Sequence, residues 1–219
     1  MKRGAIFDMD GTLFDTEKLY RKAWLDVAEE FGLEKKPALP SAVSGSSLGE
    51  GCIRVVRQFY PEATDIAADY FNRVLEVVGI WREQNLELMA GVEEILGYFK
   101  SVGVVMAVAS AATVDEVDKN LRRANLRGYF DVIVGGDMVT NGKPAPDIFL
   151  LAAEKLNLPA SDCYIFEDSL NGIRAAHASG GVAVMIPDQV QPTDDVKKIC
   201  AAIFPNLSEA KQSIERDEL

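Results

Sequence analysis

Short apolar runs alternate along the chain with stretches in which apolar residues recur at helical spacing, the pattern of βα units that build a parallel sheet covered on both faces. The runs Ala5 to Phe7, Val104 to Ala109, Val132 to Val134, Tyr164 to Phe166 and Val182 to Ile186 are the predicted strands. Val114, Val117, Leu121 and Ala124 form one helical stripe, and Thr113-Val114-Asp115-Glu116 has the form of a capping box that starts it. Pro146 fits the first turn of a further helix running through Ala153 and Leu156.

Between the first two predicted strands the chain reads as helical throughout, over a stretch much longer than a βα crossover needs. Tyr20, Ala23, Trp24, Val27 and Phe31 make one apolar face; Ile66, Tyr70, Val74, Val77 and Trp81 make another. Lys36-Pro37-Ala38-Leu39-Pro40 and Ser44-Gly45-Ser46-Ser47 break the helices apart. The aromatic stripes read as the core of a small bundle. The expected architecture is therefore α/β: a Rossmann-like parallel sheet with helices on both faces, residues 1–15 and 88–219, interrupted by an inserted α-helical domain, residues 16–87.

With 219 residues and 48% hydrophobic content, the chain can bury cores of this kind. Its formal net charge of -11 disfavours nucleic-acid backbones and anionic membranes, which leaves a small molecule as the expected partner; no protein partner is indicated. No apolar run is long enough for a secretory leader or a membrane span, so the expected location is the cytoplasm. Arg216-Asp217-Glu218-Leu219 resembles an ER-retrieval tail but is read as coincidence. Cys52, Cys163 and Cys200 lack metal-binding spacing and read as buried thiols.

The chemistry lies at the ends of the strands. Asp8-Met9-Asp10-Gly11-Thr12 follows the first, so two carboxylates emerge where open α/β sheets bind ligands. Ser110-Ala111 follows the second, offering a hydroxyl and backbone N–H groups near a helix start. Lys143-Pro144 stands in a later loop, and Glu167-Asp168-Ser169 follows the strand that ends at Phe166. Taken singly, these residues are ordinary turn formers, caps and surface charges. In this order, each after a strand, they form a constellation.

That constellation resembles the four motifs of the haloacid dehalogenase (HAD) superfamily: Asp8 to Thr16, Ala109-Ser110, Gly142 to Asp147 and Phe166 to Ser169. The helical insertion is similar to the cap of the subgroup that includes β-phosphoglucomutase and phosphoglycolate phosphatase. The resemblance implies a phosphohydrolase acting on a small phosphorylated metabolite. A phosphomonoester beside Asp8 and Asp168 meets like charges, each costing about 4 kcal/mol at about 4 Å and an effective dielectric of about 20, so a divalent cation and a lysine are needed. Mg2+ suits such an all-oxygen site. Asp8 and Asp168 are the expected carboxylate ligands, Asp10 adds its backbone carbonyl by resemblance, and Glu167 stands behind them. Asp8 is the expected nucleophile, Asp10 the general acid and base, and Ser110, the Ala111 N–H and Lys143 the holders of the phosphoryl oxygens. Thr16 and the stretch Leu86 to Ala90 are the expected hinges of the cap.

Two other readings stand beside the phosphatase. A phosphosugar mutase is marked in this subgroup by a cap histidine, whereas Tyr20 occupies that region and the one histidine is His177; no arginine occurs in Val43 to Leu48 either. A non-catalytic module would lack the nucleophile or the lysine, and both are present. Dehalogenation has no use for Asp10 or a metal site. The arginines of the insertion, Arg21, Arg54, Arg57, Arg73 and Arg82, read as solvated helix faces.

Overall fold

The computed structural model describes residues 1–43, 49–84, 86–188 and 190–219. The chain divides into two compact units, Met1–Asp15 with Glu87–Leu219, and Thr16–Leu86.

The first unit is built on strands β1 (Gly4–Phe7), β2 (Val105–Ala109), β3 (Val132–Val134), β4 (Cys163–Glu167), β5 (Val182–Met185) and β6 (Ala202–Ile203). They form one sheet in the order β3-β2-β1-β4-β5-β6, every neighbouring pair parallel. The α/β class and the Rossmann-like sheet with its helices are thus as the periodicity predicts. β6 is a difference: two residues are too few to leave a pattern in the sequence.

Alternation along the strands sends Ile6 and Ile165 to one face, where they join the side chains of α7 (Asp147–Lys155) and α8 (Leu170–Ala178) in one core. Phe7 and Phe166 point the other way and stack at 4.7 Å between ring centres. Phe99 of α5 (Val92–Ser101) meets both, at 6.2 and 6.1 Å. Burying side chains of this size contributes about 1.5–3 kcal/mol each, which is why the strands read as continuous apolar runs. α6 (Val114–Arg123) begins at the Thr113 capping box, with both reciprocal bonds to Glu116 present. Pro146 sits one residue earlier than its predicted place, as the N-cap of α7. Helices α9 (Asp194–Lys197) and α10 (Leu207–Glu215) complete the unit.

The second unit holds α1 (Thr16–Glu30), α2 (Leu39–Val43), α3 (Glu50–Phe59) and α4 (Ala67–Gln84). Both predicted stripes supply its core, Ala23, Trp24 and Val27 packing with Tyr70, Val74 and Val77. The Trp24 and Tyr70 rings stack at 5.7 Å, and the Tyr70 hydroxyl donates to the Trp24 carbonyl. Arg73 pairs with Glu30 and Glu76, and Arg57 with Glu50, as solvated helix faces do. Residues 44–48, where the sequence offers no arginine, lie outside the described residues.

Cys52 and Cys163 are buried and Cys200 is half-buried. Among the described residues, no helix is long and apolar enough to cross a membrane.

Candidate active site

The strand order sets the site's place. From β1 the chain runs out through β2 to β3, then returns to lay β4 on β1's other side, so the direction of progression reverses at β1. A crevice at the carboxyl end of the sheet follows from that reversal. Asp8 leaves β1 there, its N–H donating to the Phe166 carbonyl of β4 at 3.0 Å. Glu167 ends β4, Asp168 follows it, and Ser110 follows β2. Three stretches far apart in sequence meet because three adjacent strands end together.

Lys143 joins them. Its ammonium lies 2.5 Å from Asp8 Oδ1, 2.6 Å from Glu167 Oε1 and 3.4 Å from the Ala109 carbonyl oxygen. Its side chain is only 12% exposed and that of Glu167 1%, so these are buried ion pairs rather than the screened surface kind. Glu167 Oε2 also accepts from the N–H and hydroxyl of Ser169, at 2.8 and 2.9 Å. The Ser169 hydroxyl in turn accepts from the Gly172 N–H at 3.0 Å and caps α8.

Two glycines make this packing possible. Gly11 has a φ of +82° in the turn after β1, and a Cβ there would lie 2.4 Å from Asp168 Oδ2. The first motif thus folds directly against the fourth. A Cβ on Gly172 would fall 1.8 Å from the carboxyl carbon of Glu167. Alanine is the better helix former by about 1 kcal/mol, so at an indifferent position Gly172→Ala would stabilise α8. Here it must swing Glu167 away from Lys143 and Ser169. The variant is expected to lower the melting temperature and cost about tenfold or more in turnover; a raised melting temperature with full activity would show that Glu167 needs no such room.

Asp8, Glu167 and Asp168 each offer a carboxylate oxygen within 4.8 Å of the others. Three carboxylates face one ammonium, an excess of negative charge in a buried place. Burial first, then the neighbouring carboxylates, push the Asp8 carboxyl up to about 7 even though Lys143 opposes the shift. Burial, Glu167 and Asp8 likewise hold Asp168 well above the ordinary carboxylate range. Burial pulls the Lys143 ammonium down, but Asp8 and Glu167 outweigh it and raise its pKa, so it stays charged. An all-oxygen donor set with unbalanced negative charge fits a hard divalent cation.

The remaining predicted residues fall as follows. Asp10 is half-buried in the turn that the Gly11 N–H closes on the Phe14 carbonyl at 2.8 Å. Ser110 is buried; its Oγ accepts from the Ala112 N–H at 3.1 Å, and its own N–H donates to the Val134 carbonyl at 3.1 Å. Ala111 follows it in the same loop, ahead of α6. Thr16 opens α1, buried, its hydroxyl without a partner among the described residues. Where the chain leaves and re-enters the sheet unit, Asp15 N–H donates to the Glu87 carbonyl and Met89 N–H to the Leu13 carbonyl, both at 3.0 Å. His177 is exposed in the last turn of α8. Ser169, named in the sequence only as the end of the fourth motif and a possible cap, is the N-cap of α8, whereas Gly172 has no counterpart there; a glycine in the first turn of a predicted helix was its one local signal.

A family model for haloacid dehalogenase-like hydrolases matches residues 2–180. The chain belongs to this hydrolase family. A phosphorylated carbohydrates phosphatase of Thermotoga maritima is 38% identical over 175 residues, 80% of each chain. A fructose-1-phosphate phosphatase of Escherichia coli is 32% identical over 181 residues, 83% of this chain and 94% of its own. Among solved structures, a T. maritima protein provisionally described as a β-phosphoglucomutase superposes with a TM-score of 0.83 at 32% identity, over 99% of both chains. In this HAD-like hydrolase the acidic cluster of Asp8, Glu167 and Asp168 lies within the residues that the family model matches.

Proposed function

We propose that this HAD-like hydrolase is a magnesium-dependent phosphatase that takes a small phosphorylated metabolite of the sugar-phosphate type through an aspartyl-phosphate on Asp8. The observation that carries the reading is the buried cluster of Asp8, Lys143, Glu167 and Asp168 at the carboxyl ends of adjacent strands. The phosphatases named above, similar over most of their length, support the same substrate class.

Magnesium, held by the carboxylates of Asp8 and Asp168 and the main-chain carbonyl of Asp10, would supply charge to offset the phosphoryl oxygens. The protein's own groups do the rest. An oxygen of Asp8 attacks phosphorus in line, the ester P–O bond breaks, and the leaving alkoxide takes a proton from Asp10. Asp10 then removes a proton from water, which attacks the same phosphorus; the P–O bond to Asp8 breaks and inorganic phosphate leaves. Ser110, the Ala111 N–H and Lys143 hold the equatorial oxygens throughout, and Glu167 aims Lys143. Thr16, where the chain passes from one unit into the other, belongs to the proposal as a hinge.

Incubation with EDTA is expected to abolish phosphate release and added magnesium to restore it, while calcium, with its larger and looser shell, should inhibit. Metal-independent turnover would point to a different chemistry.

The mutase remains the second reading, favoured by the T. maritima structure. The described insertion helices carry no histidine, the chain's only one being His177 of α8, so nothing of that type stands ready to make closure depend on a bound sugar. With β-glucose 1-phosphate and a trace of the 1,6-bisphosphate, inorganic phosphate should accumulate faster than glucose 6-phosphate. A large excess of glucose 6-phosphate over phosphate would install the mutase instead.

A further inference from the structure

Ser110, Ala111, Ala112 and Thr113 form a loop whose middle side chains are only methyl groups. If its hydroxyl and N–H groups hold a phosphoryl group, as the phosphatase reading requires, something outside the loop must keep them aimed. The turn after β3, Gly135-Gly136-Asp137, is placed to do so. Gly136 N–H donates to the Ala112 carbonyl at 2.8 Å, and Val114 N–H donates to Asp137 Oδ1 at 3.0 Å. These two bonds grip the loop at its centre and at the first residue of α6.

The grip is close because both turn residues are glycines. A Cβ on Gly135 would lie 2.4 Å from the Val114 nitrogen, and one on Gly136 would lie 2.4 Å from the Ala111 carbonyl oxygen and 3.0 Å from its carbon. Gly135 has an ordinary φ of -100°, so what it supplies is room rather than an unusual conformation. The atoms a Gly136 Cβ would approach are all backbone of Ala111, which cannot yield without moving that residue, while a Gly135 Cβ would meet the Val114 nitrogen, the Ala112 carbonyl oxygen and Asp137 Oδ1. The same β3–α7 connection carries Lys143 further along, and the Asn141 side chain fastens it to Asp147 of α7 at 2.9 Å. One connection thus reaches both the lysine and the loop assigned to the phosphoryl oxygens.

We infer that Asp137 is a positioning residue for the phosphate loop, its carboxylate oxygen holding the Val114 N–H so that the Gly135-Gly136 turn fixes Ser110 and Ala111 in place. Asp137 itself touches no substrate. The inference rests on the phosphatase reading for its consequence, but on hydrogen bonds and close contacts for its geometry. Donors stabilise a transition state only when already aimed, so a loop displaced by tenths of an ångström loses affinity and rate together.

The test compares Asp137→Ala, Asp137→Asn and Gly136→Ala with the wild type. Backbone amide resonances of the unliganded proteins report on loop position, calorimetry reads the affinity for inorganic phosphate, and kcat and KM are measured on one sugar phosphate. Asp137→Ala is expected to move the Ala111 and Ala112 resonances and to weaken phosphate binding and kcat/KM by about tenfold. Asp137→Asn keeps an oxygen acceptor and should stay within about threefold of wild type. Gly136→Ala should move the same resonances and lose more. Unmoved amides with phosphate affinity within about twofold in Asp137→Ala, or Asp137→Asn as impaired as Asp137→Ala, would overturn the inference. A wild type that neither binds nor releases phosphate would sink the phosphatase reading; the amides alone would then decide, unmoved resonances in Asp137→Ala counting against the positioning role.

Discussion

Asp8→Asn is expected to lower kcat by on the order of 10⁴-fold or more while leaving the protein folded. The amide cannot form the phosphoryl bond and is a poor ligand for a hard cation, so the substitution removes nucleophile and metal donor together. The fold should tolerate it for a reason visible in the site. Asp8 is one of three crowded carboxylates, burial already pushes its acid form up to about 7, and Lys143 keeps Glu167 as a partner at 2.6 Å. Removing one negative charge relieves repulsion that the ionised protein otherwise bears. Steady-state phosphate release and thermal unfolding together check this, and a variant within tenfold of wild-type turnover would contradict a nucleophilic Asp8.

Lys143→Met is expected to be the more damaging change overall, with turnover reduced on the order of a thousandfold and stability reduced as well. The thioether fills similar volume but leaves Asp8, Glu167 and Asp168 facing one another with no ammonium. Stripping a buried ion pair of one partner costs about 3–5 kcal/mol, because the remaining charge is desolvated and uncompensated. The two variants should therefore diverge in melting temperature, Asp8→Asn at or above wild type and Lys143→Met well below it. A loss of threefold or less in activity, with an unchanged melting temperature, would make Lys143 an ordinary loop lysine despite its 12% exposure.

Much of this was legible in the sequence because the relevant signals are local. A strand buried on both faces must be apolar at every position, so β1 and β4 announce themselves, and the residues that follow them are the ones that reach the ligand edge. The Thr113–Glu116 capping box spans four residues and needs nothing from the rest of the chain. What stayed hidden depends on contacts between distant segments. Gly172 is a poor helix residue until Glu167 is seen to occupy its missing side chain, and Gly136 is a plain turn glycine until Ala111 lies against it. Glu167 was expected to stand behind the metal ligands; that it pairs directly with Lys143 follows from the meeting of β4 with a loop twenty-four residues earlier. β6 escaped because a two-residue edge strand has no period to read.

Trapping the intermediate tests the central claim most directly. Enzyme turning over a sugar phosphate with magnesium would be quenched rapidly and treated with borohydride, which reduces an acyl phosphate to an alcohol, and the peptide containing Asp8 and Asp10 would be sequenced by mass spectrometry. Homoserine in place of Asp8, with Asp10 unchanged and none formed without substrate, is the predicted result. Phosphate released at full rate with no reduction at Asp8 under any quench time would contradict covalent catalysis by this residue.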